Sequence, residues 1–186
     1  MGKAYANKKT KEERPESDYY GTPIPLTWEL IKLNIFDKNY IVYEPASGEG
    51  AISNTLKLNG YEVIENDIRT TGVNFLECKE YYPQIVTNPP FSLFDEFVES
   101  AKRCSDKFAF IAKTNFFGAY KRWENGIWGN LKNVYIFNRQ IDYRYNPFDT
   151  KLKCGNLITG WFIWDSSWDR SYWNTHIINV QKYCKG

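Results

Sequence analysis

A short run with strand character, Gln84-Ile85-Val86-Thr87, stops at Asn88-Pro89-Pro90-Phe91. Two consecutive prolines offer no N–H to a sheet ladder and restrict the residue before them, so the strand cannot continue and the chain must turn stiffly. Beyond the turn, Phe94, Phe97, Val98 and Ala101 fall on one side of a helix. Strand, tight turn and helix in that order are the building unit of an α/β sheet.

The same rhythm recurs along the chain. Pro25 predicts a helix start, with Leu26, Leu30, Ile31 and Leu33 as its apolar face. A strand is expected at Tyr40–Tyr43. It is followed by a glycine turn and a helix that carries Ile52, Leu56 and Leu58 and ends at Gly60. Further strands are expected at Tyr61–Ile64, Lys107–Ile111, Val134–Phe137, Ile158–Trp164 and His176–Val180. The alternation predicts an open, mainly parallel α/β sheet forming one domain over residues 18–186, whose ligands bind beyond the carboxyl ends of the strands. Residues 1–17 are polar, mixed in charge and without periodicity, and read as a flexible arm.

Composition removes several chemistries. The chain has one histidine, His176, so a His-rich metal cluster, HExxH and two-histidine mechanisms are excluded. Its four cysteines, at 78, 104, 154 and 184, show no zinc or CxxC spacing and are expected as reduced thiols in a cytoplasmic protein. No metal is expected, and no apolar run is long enough for a membrane span. A net charge of +2 permits a nucleic-acid partner only if the positive charge is localised. Aromatics reach 18%, which suits core packing and base stacking alike.

Four segments stand at strand ends. In Glu44-Pro45-Ala46-Ser47-Gly48-Glu49-Gly50 the glycines let the backbone pass close under a ligand, and Glu44 can accept from a ligand ammonium. The spacing is not GxGxxG, so a dinucleotide is disfavoured, and a plain turn remains open. Asp67, after the next strand, can take both hydroxyls of a ribose or simply cap the strand. Asn88-Pro89-Pro90-Phe91 can point two carbonyl-type acceptors the same way. Asn74-Phe75-Leu76 offers an uncharged polar side chain whose role stays open.

The order EPASGEG, then an acid, then NPPF resembles the amino-methyltransferases that use S-adenosylmethionine (SAM). Among these it is most similar to phage-type DNA adenine-N6 methyltransferases. Tyr20-Gly21-Thr22-Pro23 resembles that family's Thr-Pro segment at the methionine end of the cofactor, and Phe108–Ile111, Lys121-Arg122 and Trp161–Trp164 resemble its later parts. The resemblance implies a Rossmann-like fold with a seven-stranded-type sheet and helices on both faces. It implies cofactor contacts from Tyr20, Thr22, Pro23, Glu44, Ala46, Ser47, Gly48, Gly50, Asp67, Asn74, Phe75 and Asn88. Asn74 departs from the family, which often has Asp there.

The implied catalytic segment is Asn88, Pro89, Pro90 and Phe91. The Asn88 oxygen and the Pro89 carbonyl would hold both hydrogens of adenine's amino group, and Phe91 would stack on a base flipped from duplex DNA. Residues 114–157 are the candidate target-recognition segment, with Lys121, Arg122, Trp123, Arg139, Tyr143, Arg144, Lys151 and Lys153. Three readings compete. An RNA or protein-glutamine acceptor shares similar motifs. A nuclease would use Asp67, Glu77 and Lys79. A catalytically silent SAM-fold binding protein would keep the fold alone.

Overall fold

The computed structural model describes residues 20–184, so the arm expected at 1–17 lies outside the described residues. The elements run α1 (Ile24–Lys32), β1 (Val42–Glu44), α2 (Ala51–Leu58), β2 (Val63–Glu65), β3 (Gln84–Thr87), α3 (Phe94–Cys104), β4 (Lys107–Lys113), α4 (Tyr120–Glu124), β5 (Leu131–Phe137), β6 (Thr159–Asp165) and β7 (Asn174–Ile178). The strands form one seven-stranded sheet in the order β2-β1-β3-β4-β6-β5-β7. Strand β6 runs antiparallel to both of its neighbours, and the remaining pairings are parallel.

Side chains alternate across the sheet, and each face has its own core. Val42, Val86, Ala109, Ile111, Trp161 and Ile163 share one apolar cluster with Leu26 and Leu30 of α1 and Ile52 and Leu56 of α2. Tyr43, Ile85, Phe108, Phe110, Phe162 and Trp164 point the other way and pack with Phe94, Phe97, Val98 and Ala101 of α3. Covering both faces with helices explains why these strands read as continuous apolar runs. The large rings act here as filling. Phe108 and Trp164 stack at 4.9 Å and 9°, and buried Trp161 donates from Nε1 to the Leu26 carbonyl at 2.7 Å, tying α1 to β6. Each such ring contributes roughly 1.5–3 kcal/mol by leaving water.

Outside β3, strand bounds shift by one to three residues from the sequence expectation, with β1 and β2 each beginning two residues later, at Val42 and Val63. Leu58 is 87% exposed. It lies six residues past Ile52, about 240° round the helix, and so leaves the apolar face. The last strand sits two residues earlier than expected, at Asn174–Ile178, in parallel register with β5.

The strand order places the site. From β1 the chain crosses to β2 on one side, then returns to lay β3 on the other side of β1. Crevices open at such a reversal, outside the carboxyl ends of the two central strands. Those ends are Glu44 on β1 and Thr87 on β3.

Candidate active site

Strand β1 delivers Glu44 to the crevice at 1% exposure. Its Oε2 accepts from Ser53 Oγ of α2. Burial pushes the Glu44 carboxyl up to about 8, against the downward pull of the Ser53 bonds, and Glu65 on the neighbouring strand adds a smaller repulsion. Lys57, which exerts a small downward pull, pairs with Glu65 at 2.7 Å. Glu44 is therefore a buried acid that carries its proton near neutral pH.

The loop after Glu44 is tightly folded. Ser47 N donates to the Asn66 carbonyl at 2.9 Å, and Gly50 N donates to the Ser47 carbonyl at 2.8 Å. Gly50 sits at φ +80°, where a side chain would be strained and its Cβ would lie 3.2 Å from Asn54 Nδ2. Asp67 closes the loop from below. Its Oδ2 accepts from Gly48 N at 2.9 Å, while Arg69 bonds both of its oxygens, from Nε at 2.9 Å and from Nη2 at 3.1 Å. These Arg69 and Gly48 bonds outweigh the effect of burial and hold the Asp67 carboxyl below its ordinary value.

Strand β3 delivers Asn88. The amide nitrogen of Asn88 donates to the Tyr20 carbonyl at 2.8 Å. Its oxygen, Oδ1, is buried and has no hydrogen-bond partner among the described residues. Thr22 Oγ1 is buried and unpartnered in the same way. The Pro90 carbonyl accepts from Leu93 N at 3.0 Å, closing the turn into α3. A cleft of about 250 Å³, counting its open mouth, is lined by Tyr20, Gly21, Thr22, Glu44, Ala46, Ser47, Ala51, Ile52 and Asn88.

That cleft gathers six of the residues expected to bind a cofactor: Tyr20, Thr22, Glu44, Ala46, Ser47 and Asn88. Gly48, Gly50 and Asp67 form and brace its floor loop. Pro23 caps the start of α1, its carbonyl accepting from Leu26 N at 2.9 Å. Phe75 lies outside the cleft lining: it is 3% exposed and packs on Phe97 at 5.2 Å and Tyr43 at 5.9 Å, inside the core beside α3. Asn74 caps the 3-10 turn at Phe75–Glu77, accepting from Leu76 N at 3.1 Å and donating to Glu77 at 2.8 Å. Asp67 and Glu77 are thus engaged in separate local bonds. The described residues hold no group of three or more His, Cys, Asp or Glu side chains suited to a metal.

Phe91 stands beside the cleft at 7% exposure. Tyr20 stacks on it at 5.8 Å and 28°. Lys113, at the end of β4, places its ammonium 4.3 Å from the ring centroid. Lys113 escaped the sequence reading because it comes next to Phe91 only through the parallel pairing of β3 with β4, which aligns Thr87 with Phe110.

The expected recognition segment, 114–157, divides into unlike parts. Arg122 packs over Phe116 at 4.2 Å and pairs with Asp95 at 2.5 Å, so it braces α4 against α3. Lys121 is exposed on α4, and β5 lies within the sheet. Residues 138–158 form a loop at the carboxyl end of β5, on the same side of the sheet as the cleft. The loop is pinned to the start of α1 and the end of β4, with Ile24 N donating to the Pro147 carbonyl at 2.9 Å and Thr114 N to the Ile158 carbonyl at 3.1 Å.

Within that loop, Tyr143 corrects the sequence expectation. It is 2% exposed and shares a 2.6 Å hydrogen bond with Thr159, so it anchors the loop and offers no surface for a partner. Arg139 donates to Gln181 at 3.0 Å and Arg144 pairs with Asp142 at 2.6 Å. Arg144, Lys151, Lys153, Tyr145 and Phe148 are exposed around the loop.

No family model matches this sequence, and no curated protein matches it. Solved structures do match. A Pyrococcus horikoshii protein provisionally described as an RNA methyltransferase aligns over 85% of this chain and 90% of its own, with 17% identity and a TM-score of 0.60. The modification subunit of a provisionally assigned type I restriction enzyme from Vibrio vulnificus aligns over 92% of this chain and 51% of its own, with 13% identity and a TM-score of 0.62. A Lactococcus lactis protein provisionally described as a hemolysin aligns over 86% and 93%, with 11% identity and a TM-score of 0.54. The chain spans about half of the Vibrio subunit. It has the Rossmann-like fold seen in these methyltransferases, and the third neighbour shows that this fold carries more than one description.

Proposed function

We propose that this chain is a SAM-dependent methyltransferase that modifies the N6 amino group of adenine in DNA. The observation that carries the reading is the Asn88 amide. Its nitrogen is fixed on the Tyr20 carbonyl, and its oxygen is buried with no donor among the described residues, on a side chain that lines the cleft. A buried acceptor left unpaired costs about 1–3 kcal/mol, so it is a place where a ligand N–H belongs.

The cleft also fits the amino-acid end of the cofactor. Glu44 is a buried acid without a cation, and Thr22 Oγ1 is a hydroxyl without a partner. An ammonium suits the first and a carboxylate the second. When bound, the cofactor supplies an electrophilic methyl group. The chain's own part is to hold and polarise the acceptor. Asn88 Oδ1 takes one amino hydrogen and the Pro89 carbonyl the other. The nitrogen lone pair is then freed from the ring, and both bonds strengthen as positive charge grows on nitrogen. No strong base is required, which suits a chain with a single histidine, His176, exposed on β7.

Support for a nucleic-acid acceptor comes from the exposed Arg144, Lys151 and Lys153 on the loop beside the cleft, and from the Vibrio neighbour's description as a modification subunit. The Pyrococcus neighbour's description favours RNA as a second reading. Among the described residues no helix is long and apolar enough to cross a membrane, and we place the reaction in the cytoplasm. The test is transfer of labelled methyl from SAM to DNA, RNA and protein in parallel, followed by digestion to nucleosides and amino acids. Label on N6-methyladenine from DNA is expected. Label confined to RNA, to glutamine or to another base overturns the substrate, and no transfer at all overturns the activity.

A further inference from the structure

We infer that Tyr20 is the second wall of the acceptor slot, so that the target base is held between the Tyr20 and Phe91 rings with its amino group at Asn88. The inference rests on the methyl-transfer reading above and extends it to how the base is gripped.

The two rings already stand nearly parallel, with centroids 5.8 Å apart and planes at 28°. A planar base between them needs two stacking gaps of roughly 3.5 Å, or about 7 Å in all. The rings must therefore part before a base can enter. The two walls are not equally free to move. Phe91 is 7% exposed, lies edge-on to Phe116 at 6.0 Å and carries the Lys113 ammonium at 4.3 Å. Tyr20 is only half-buried, and its anchoring bond to Asn88 uses its backbone carbonyl. Its ring can swing outward while the bond that orients the Asn88 amide stays in place.

The same bond sets the geometry of the slot. One Asn88 atom holds the Tyr20 backbone while the other is buried without a partner among the described residues. A base that enters between the rings can thus bring its edge to a buried amide oxygen that has no donor among the described residues. Lys113 adds a cation beside the slot, suited to a ring nitrogen or a neighbouring phosphate. Flat aromatic walls reward every base face, so the slot selects a heteroaromatic ring and leaves sequence to the 138–158 loop.

The test uses the full chain and a hexanucleotide with one 2-aminopurine flanked by abasic sites, so that the base cannot stack within its own strand. S-adenosylhomocysteine is added to saturation, with its affinity measured separately by calorimetry. Wild type and Tyr20→Phe are expected to quench the fluorescence on binding. Tyr20→Leu is expected to lose the quenching and to bind the probe roughly 5- to 150-fold more weakly, the range for removing one stacking ring. Because Tyr20 also lines the cofactor cleft, its S-adenosylhomocysteine affinity should fall by much less than its affinity for the probe. Quenching in Tyr20→Leu equal to wild type overturns the slot. Loss of S-adenosylhomocysteine binding in that variant also overturns it, by placing the ring in the cofactor wall. If wild type quenches through Tyr20 yet does not bind S-adenosylhomocysteine, the slot stands and the methyl-transfer reading falls.

Discussion

The 2.8 Å bond from Asn88 Nδ2 to the Tyr20 carbonyl decides which atom of the amide faces the cleft. Had the amide been turned over, a donor would meet the acceptor amine and repel it. The polarity of one side chain is thereby set by a residue 68 positions away.

Asn88→Ala removes the acceptor and leaves Glu44 and the glycine loop intact. Cofactor affinity by calorimetry should change little, while single-turnover methylation falls at least about 10²-fold, as for loss of one preorganised transition-state partner. Asn88→Asp keeps an acceptor but sets an oxygen against the Tyr20 carbonyl, and its rate should fall between the two. Wild-type rates in Asn88→Ala would remove Asn88 from the chemistry.

Glu44 gives a pH dependence with a defined sign. Burial raises its carboxyl to about 8 in the folded protein, against about 4.3 in an unfolded chain. The native state therefore holds the extra proton. Its contribution to stability is complete below about pH 4 and is lost as pH rises towards 8, in total about a few kcal/mol. Urea denaturation across that range should show Glu44→Gln declining less than wild type. Parallel curves would mean that Glu44 is already ionised. Binding of a cofactor ammonium near pH 7 should release this proton, which calorimetry in buffers of different ionisation enthalpy detects.

Asp67 supports the loop through Gly48 N, and Arg69 covers its remaining capacity. If its role is to receive the cofactor ribose, Arg69 must yield. Asp67→Ala should weaken cofactor binding roughly 10- to 150-fold, for about 1.5–3 kcal/mol of charged hydrogen bonds. Arg69→Ala should not weaken it. A tenfold loss in Arg69→Ala would make the arginine a supporting residue instead of a competitor for Asp67.

Tyr143 and Arg144 are neighbours with opposite expectations. Tyr143→Phe loses the buried bond to Thr159 and should cost about 1 kcal/mol of stability. The salt dependence of DNA binding should stay as it is in that variant. Arg144→Ala removes a cation paired with the buried Asp142 and should also cost stability, but unlike Tyr143→Phe it should flatten that dependence by about one phosphate contact. A slope insensitive to Arg144, Lys151 and Lys153 together would move the DNA face away from the loop.

The site end of the fold was legible because β1 and β3 are short apolar runs closed by Gly or Pro turns. Strand β3 falls on the residues expected, and its end at Asn88 follows from the prolines alone. The glycine loop and Glu44 were legible for the same reason, since each sits where a strand must stop. Aromatics in irregular segments were not. Phe75 and Tyr143 read like ligand or base contacts, yet both are buried, because only the packed chain shows which side of a loop faces in. Lys113 and the Tyr20–Phe91 pair depend on strand order and on contacts across the fold, which local spacing does not encode. The bond that orients Asn88 is of that kind too.

Strands β5 and β6 are antiparallel neighbours, and the 138–158 loop joins their adjacent ends. In effect it is the tip of an oversized hairpin. Its length and residues can change without altering the order of the strands that carry Glu44 and Asn88. On the proposed function, target preference and methyl-transfer chemistry would therefore be modular in this architecture. A graft of a foreign hairpin tip, tied in through the Pro147 and Ile158 carbonyls, would be the natural way to give the same catalytic floor a new address on nucleic acid.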